Sequence, residues 1–369
     1  QTAAQRSLCL ITGGPGTGKT TTVARLLALL LRLSDASGAT SPLRIHLAAP
    51  TGKAAARLTQ SIRAALAQMP EEVQSRIPTE AQTLHRLLRV GRTREAQALA
   101  TDVVVVDEAS MIDLEMMARL LRSVPPTARL VLLGDRDQLA SVEAGAVMAQ
   151  LCELPWLSEH IVTLQHSHRF DAQRGIGQWA QAIQSSPSTP TVAELWARTP
   201  HLPAAASDDW PDVTRLENGS DAELTTLVQH GWQSWRAQWA SVQHAQHCTD
   251  AQALALLEAW SAFGVLCATR EGPQGVLRLI TRIERALHLP APDALGWYVG
   301  RPVMVTRNDY ALGLMNGDIG VCLPDPSGWR VAFPADGGGV RWFQTARLSA
   351  IETVWAMTVH KSQGSEWQH

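Results

Sequence analysis

The run Gly13-Gly14-Pro15-Gly16-Thr17-Gly18-Lys19-Thr20 constrains this chain more than any other segment. It follows the short apolar run 8–11 and opens an amphipathic pattern that continues to about Leu33. That context predicts strand, glycine loop, helix. The spacing is G-x-x-x-x-G-K-[ST], in which glycines let successive backbone N–H groups point inward without interference from Cβ. The helix N-terminus behind such a loop adds partial positive charge, so the segment predicts a phosphate-binding turn. Gly14, Pro15, Gly16, Thr17, Gly18, Lys19, Thr20 and Thr21 are the candidate nucleotide-binding residues. Lys19 is also a candidate catalytic residue, because its mobile charge suits β- and γ-phosphates. The Thr20 hydroxyl is a candidate Mg²⁺ ligand.

Other segments extend the pattern. Residues 45–49 predict a second strand, ending at Pro50-Thr51-Gly52-Lys53, and 54–67 has helical periodicity. Residues 103–106 are four consecutive valines, as expected of a strand buried on both faces. Residues 130–133 predict another strand, ending at Gly134-Asp135. Strands alternating with helices predict an α/β first domain, residues 1–164, with a parallel sheet and crossover helices.

Residues 165–369 form the expected second domain. Its stretch 185–260 is rich in Pro, Ala, Gln and Trp with few strand signals, and reads as a helical insertion. The chain has 13 tryptophans, which invites a base-stacking reading. Trp232, Trp235 and Trp239 fall at helical spacing, which favours packing between helices instead. Residues 263–269 read as a strand again. Short apolar runs at 303–305, 319–321, 329–333 and 340–343, separated by Gly and Pro, predict a small antiparallel β module near 318–350.

Composition narrows the class. At 369 residues the chain has room for two or three domains, and 45% hydrophobic against 18% charged residues excludes general disorder. A net charge of -2 excludes a uniformly basic coat but permits a local basic track. Arg86, Arg89, Arg92 and Arg94 are one such run, readable as a track for a single strand or as a charged helix face. Five cysteines without a CxxC spacing argue against a zinc knuckle or a disulfide framework and suggest a cytoplasmic protein. The most apolar stretch, 23–33, is interrupted by Arg25 and Arg32, so no membrane span is expected. The chain opens on Gln1 and stops at His369 inside a polar motif, and reads as a fragment of a longer protein.

Two further strand ends carry candidate chemistry. Asp107 follows the valine strand, where ligands bind in open α/β sheets, and would hold Mg²⁺. Glu108 would orient and activate an attacking water. The competing reading is two acids capping a helix that begins near Ser110. Gln138, in Gly134-Asp135-Arg136-Asp137-Gln138-Leu139, could bond a γ-phosphate or the lytic water; the alternative is a polar turn.

At this point the chain resembles a known family. DEAS at 107–110, GDRDQL at 134–139 and HKSQGSE at 360–366 resemble the ordered motifs of superfamily-one DNA helicases. LAAPTGKAAARL at 47–58, TLHRLL at 83–88, GDRDQLASVEAGAV at 134–147 and HSHRF at 166–170 narrow the resemblance to the RecD family. These are the alpha subunits of bacterial exodeoxyribonuclease V. The resemblance implies two RecA-like P-loop motor domains with parallel sheets, with ATP and Mg²⁺ between them, and a small SH3-like β module. It implies an ATP-dependent DNA helicase moving 5′→3′ on single- or double-stranded DNA, with RecB and RecC as partner subunits, acting in double-strand-break repair and recombination. The nuclease centre is then expected in another subunit.

Site residues follow from the same motifs. Thr51, Lys53, Thr83 and His85 fall where the family contacts DNA, as do Asn308, before the Asn316-Gly317-Asp318 turn, and Thr358, His360, Lys361 and Ser362. Gln138 matches the γ-phosphate sensor, and Arg169 the arginine that reaches the γ-phosphate from the second motor domain, although an ordinary ion pair is the bland reading of Arg169. Gly364 and Glu366 match the nucleotide-facing end of the last motif present. The family's final motif, its preceding N-terminal domain and a residue assignable as its adenine-contacting Gln have no counterpart in this sequence. Two other classes stay open: a P-loop ATPase acting on RNA or protein, and an ATP-binding structural subunit that does not translocate.

Overall fold

The computed structural model of the chain describes residues 2–38, 41–90, 96–138, 147–166, 171, 175–184, 192–201, 212–216, 220–309, 311–335, 339–363 and 367. The chain divides into two compact units, Gln1–Arg215 and Leu216–His369.

The first unit alternates strands and helices. Its elements are α1 (Thr2–Gln5), β1 (Leu8–Gly13), α2 (Lys19–Ala36), β2 (Ile45–Ala49), α3 (Gly52–Leu66), α4 (Glu71–Gln74), β3 (Gln82–Thr83), α5 (Leu84–Leu87) and β4 (Val103–Val106). They continue with α6 (Leu114–Ser123), β5 (Arg129–Gly134), α7 (Val147–Glu153), β6 (Ile161–Leu164), α8 (Gly175–Gln184) and α9 (Val192–Arg198). The six strands form one sheet in the order β3-β2-β4-β5-β1-β6, and every pairing is parallel.

The valine strand explains why the sheet is covered on both faces. Successive side chains of a strand point to opposite sides. Val103 and Val105 pack with Val23, Leu27, Leu58 and Ile62 of α2 and α3. Val104 and Val106 pack with Met117 and Leu120 of α6 and with Leu84. All four valines are buried, each contributing about 1.5–2 kcal/mol. A charge at Val104 or Val105 would sit unpaired between layers, which is the change most certain to break the unit.

Sheet order places the chemistry. β1 lies between β5 and β6, and β4 lies between β2 and β5. The segments after β1, β4 and β5 therefore leave neighbouring strands at the same, carboxyl, edge. β6 pairs with β1 so that Leu164 lies beside Gly13. A Cβ on Gly13 would stand 2.7 Å from the Leu164 carbonyl oxygen and 2.8 Å from Thr17 Oγ1, so only glycine fits where the loop leaves the sheet.

The second unit contains α10 (Asp221–Gly231), α11 (Gln233–Val242), α12 (Asp250–Ser261), β7 (Leu266–Cys267), α13 (Val276–Ala286) and β8 (Pro302–Val305). It continues with β9 (Ile319–Asp325), β10 (Gly328–Pro334), β11 (Val340–Gln344), β12 (Ile351–Thr353), β13 (Met357–Thr358) and α14 (Val359–Ser362). Five strands form an antiparallel sheet in the order β11-β10-β9-β8-β12. It draws in residues 302–305 and 351–353 beyond the expected 318–350. The strand expected at 263–269 is limited to β7, whose parallel partner is β13. Among the described residues, this is the unit's one parallel pairing of named strands.

The tryptophan-rich stretch is helical over α10–α12 and supplies the core of this unit. Trp232, Trp235 and Trp260 pack with Ile283, Met304, Val321, Leu323, Val354, Trp355 and Met357. Trp355 meets Trp232 and Trp235 edge-on, with ring centroids 5.1 and 4.9 Å apart. The Trp232 indole donates to the Trp260 carbonyl at 3.1 Å, and the Trp355 indole to Tyr298 Oη at 2.7 Å. Trp232 and Trp235 are 0% exposed, which excludes them from stacking on bases. Among the described residues no helix is long and apolar enough to cross a membrane.

Candidate nucleotide and nucleic-acid site

The glycine loop has the backbone its composition predicts. Gly16 and Gly18 sit at φ 75° and 76°, a left-handed region that glycine enters without strain. Gly18 precedes the 18-residue α2 and offers no side-chain cap, so it leaves the first-turn N–H groups without a side-chain partner of its own. The Thr17 hydroxyl donates to the Gly14 carbonyl at 2.9 Å and braces the turn. The Lys19 ammonium folds over the loop and donates to the Gly13 and Gly14 carbonyls at 2.6 and 3.0 Å. Its charge is thus stored at the loop mouth. Thr20 is half-buried and Thr21 exposed on the first turn of α2.

The acids stand at the end of β4. The Asp107 N–H donates to the Ala48 carbonyl at 2.9 Å, so Asp107 still belongs to the ladder with β2. Its Oδ1 accepts the Glu108 backbone N–H at 2.9 Å. Glu108 adopts φ 51°, left-handed backbone that is uncommon for a side chain of this size. The capping alternative does not hold for Glu108: it makes no side-chain cap to the short 3₁₀ turn Ala109–Met111, and α6 is capped by Asp113, whose Oδ1 accepts the Met116 N–H at 2.6 Å. Burial pushes the carboxyls of Asp107 and Glu108 above the ordinary range, and their mutual repulsion raises Glu108 further. Lys19 opposes both shifts, and Arg57 of α3 opposes that of Glu108.

Three residues of this site were not evident from sequence. Asp135, after β5, is also raised by burial and also faces Lys19. Arg57 reaches the field of Glu108 from the helix that begins at Thr51. Ser110 donates its hydroxyl to Gln138 Oε1 at 2.7 Å. Asp135 and Ser110 are ordinary turn residues in sequence. Only the adjacency of β4 and β5 joins them to the acids.

Thr20 and Asp107 suit Mg²⁺ by chemistry: one hydroxyl and one buried, incompletely compensated carboxylate. Magnesium takes one or two carboxylates and completes its shell with phosphate oxygens and water. Among the described residues there is no cluster of three or more metal-ligating side chains.

The candidate DNA-contacting threonines share one local construction. Thr51 stands two residues past the end of β2 and caps α3, its Oγ1 accepting the Ala54 N–H at 3.2 Å. Thr83 ends β3 and caps α5, accepting the Arg86 N–H at 3.3 Å. Thr358 ends β13 and caps α14, accepting the Lys361 N–H at 3.4 Å. In each case the hydroxyl hydrogen is left over for an outside acceptor. β2 and β3 are paired neighbours, with Ala49 beside Thr83, so the first two turns emerge side by side. His85 and Arg86 are exposed while Leu84 and Leu87 anchor α5 below them. His85 is therefore not the packed polar residue of the bland reading.

The other candidates divide. The Lys361 ammonium pairs with Glu352, which also binds Arg270 at 3.2 Å, so Lys361 is less available than sequence alone suggests. The Ser362 hydroxyl donates to the Val359 carbonyl at 2.7 Å. Asn308 Oδ1 accepts the Asn316 N–H at 2.8 Å and so holds the 316–318 turn. His360 is half-buried on α14. Arg169, Gly364 and Glu366 lie outside the described residues, as do Arg92 and Arg94.

A family model described as an AAA domain matches residues 1–144. The chain is 43% identical to the RecBCD enzyme subunit RecD of Mycolicibacterium smegmatis, covering 99% of this chain and 62% of that protein. It is 36% identical to the RecBCD enzyme subunit RecD of Haemophilus influenzae, covering 100% and 62%. It is 31% identical to the ATP-dependent RecD2 DNA helicase of Deinococcus radiodurans, covering 98% and 42%. The chain thus spans 62% of the length of the RecD subunits of M. smegmatis and H. influenzae. Among solved structures, Bacteroides Pif1 bound to ssDNA is 16% identical with a TM-score of 0.43, covering 98% of this chain and 81% of that one.

The covered parallel sheet, the glycine loop and the paired acids define an α/β unit with an AAA-like P-loop fold. Within that class the chain resembles, along its whole length, the RecD subunits of the RecBCD enzyme.

Proposed function

We propose that this chain is the motor part of a RecD-type, ATP-dependent DNA helicase subunit. One observation carries the reading. Lys19, Asp107, Glu108 and Gln138 come from three separate motifs, and neighbouring strands deliver them to one edge of one sheet. Beside them, on β2 and β3, two Thr-capped turns present hydroxyls and exposed basic groups suited to a polynucleotide backbone.

In this mechanism the loop N–H groups and Lys19 take the β- and γ-phosphates of ATP. Thr20 and Asp107 would hold Mg²⁺, which when bound neutralises phosphate charge. Glu108 takes a proton from the attacking water, and its raised proton affinity suits that task. Gln138 reports whether the γ-phosphate is present. By resemblance to the RecD subunits, Arg169, Gly364 and Glu366 would also contact the nucleotide. Thr51, Lys53, Thr83 and His85 grip DNA from the first unit, and Asn308, Thr358, His360, Lys361 and Ser362 from the second. Alternation between these grips advances the strand 5′→3′. The antiparallel sheet of the second unit is the candidate for the small SH3-like module that the resemblance implies. RecB- and RecC-type subunits are the partners, and double-strand-break repair and recombination the setting.

The test is ATP turnover by the full chain with and without single-stranded DNA, paired with strand displacement on a tailed duplex. Turnover stimulated by DNA is expected. Stronger stimulation by RNA would favour an RNA-directed ATPase. Tight nucleotide binding without turnover under either condition would favour a purely structural subunit.

A further inference from the structure

We propose that Ser110 is a positioning residue that holds the side-chain amide of Gln138 ready for the terminal phosphate. The inference rests on Gln138 acting as γ-phosphate sensor, as proposed above. A glutamine amide has two ends of nearly equal shape and opposite polarity, and its terminal torsion is broad and roughly two-fold. Presented carbonyl-first to a phosphate it repels; presented NH₂-first it binds. A sensor needs that choice made before the nucleotide arrives.

The structure restrains the amide from one side. Ser110 follows the acids of β4, and its Oγ donates to Gln138 Oε1 at 2.7 Å. In this arrangement Ser110 takes the carbonyl end of the amide, and both Nε2 hydrogens stay available to another acceptor. The Nε2 end then points away from Ser110. Ser110 is 7% exposed, and its own position is tightly set. A Cβ on Gly134, at the end of β5, would stand 3.0 Å from the Ser110 backbone nitrogen and 2.5 Å from Met148 Sδ, so the two turns approach as closely as glycine allows.

The loop carrying Gln138 is pinned as well. The Arg136 N–H donates to the buried Thr12 Oγ1 at 3.1 Å, and the Asp137 N–H to Asp135 Oδ1 at 3.0 Å. The Gln138 N–H donates to the Asp135 carbonyl at 3.3 Å. With the backbone held, rotation of the side chain is the freedom that remains, and the bond to Ser110 restricts it. Ser110 also stands two residues after Glu108, so sensor and water-activating acid share one short turn through this hydrogen bond.

The experiment measures the affinities of the full chain for ATPγS and ADP in the wild type, Ser110→Ala, Gln138→Ala and the double variant. The wild type is expected to prefer ATPγS. Ser110→Ala should reduce that preference about fivefold, the scale of one neutral hydrogen bond. Gln138→Ala should reduce it at least as much, and the double variant no further than Gln138→Ala alone. A wild-type ratio in Ser110→Ala, beside a reduced ratio in Gln138→Ala, overturns the role of Ser110 and leaves the sensor reading standing. An equal loss on removing Ser110 from the Gln138→Ala background shows that the hydroxyl acts through packing, which also overturns it. A normal preference in Gln138→Ala overturns the sensor and this inference together. A wild type that binds neither nucleotide overturns the proposed function and takes the inference with it.

Discussion

The acids at the strand ends of the first unit and two turn acids of the second live under opposite electrostatic conditions. In the first unit Asp107, Glu108 and Asp135 are all pushed above their ordinary range by burial, with Lys19 as their shared counter-charge. In the second, hydrogen bonds hold Asp293 and Asp325 below it. Asp293 accepts the Trp297 and Leu295 N–H groups at 2.8 and 2.9 Å. Asp325 falls to about 2 through bonds from the Ser327 hydroxyl and the Arg330 guanidinium. The second pair finishes turns, and its needs are met within the chain. The first trio is buried without adequate partners, a cost that a folded protein sustains where an outside ligand supplies what is missing.

Four experiments could break or sharpen this contrast. Lys19→Ala removes the one cation that opposes all three shifts. ATP turnover should fall by a factor on the order of 10³ with the fold intact, measured by phosphate release and circular dichroism. Turnover near that of the wild type would remove Lys19 from the chemistry. Glu108→Gln should cut turnover by a factor on the order of 10² while leaving the melting temperature equal or higher, because a buried charge that the fold disfavours is gone. A lower melting temperature would mean that Glu108 is structural after all.

The pH profile comes next. A carboxyl whose folded pKa is raised binds protons more readily in the native state. Its destabilising charge is therefore present above the folded pKa and relieved as pH falls through it. For catalysis the sign reverses, since a protonated Glu108 cannot accept a proton. The acid limb of kcat should therefore lie above the ordinary glutamate value of 4.5, and a limb at or below that value would contradict the burial argument. Asp325 behaves oppositely: its contribution is complete above 3.8 and is lost as pH falls through about 2. Asp325→Asn, the mildest change, should lower the melting temperature slightly at neutral pH and leave turnover unaltered. A loss of turnover would show that the two sets of acids are not separable.

Much of the first unit was legible because its signals are local. The apolar runs at 8–11, 45–49, 103–106 and 130–133 are strands because each is buried on both faces, and the glycine loop dictates its own backbone. β3 and β6 gave no such signal. β3 has two residues, and β6 is an edge strand of mostly half-buried side chains. In the second unit, periodicity marked the tryptophans as helical. It could not show that Trp355, far away in sequence, completes their cluster. The site follows the same rule. Lys19, Asp107 and Glu108 carry their chemistry in their immediate sequence, whereas Ser110, Asp135 and Arg57 acquire theirs only when neighbouring elements come together. Lys361 errs the other way, since its partner Glu352 comes from β12.

Trp355 stands three residues before Thr358, wedged between Trp232 and Trp235 and tied through Tyr298 to Glu284 on α13. The turn at Thr358 is therefore mounted on an aromatic block. Tension applied there enters α10, α11 and α13 across stiff ring contacts and two short hydrogen bonds, with little compliant chain to absorb it. Truncating Trp355 would leave the turn in place while removing the packing that stiffens it.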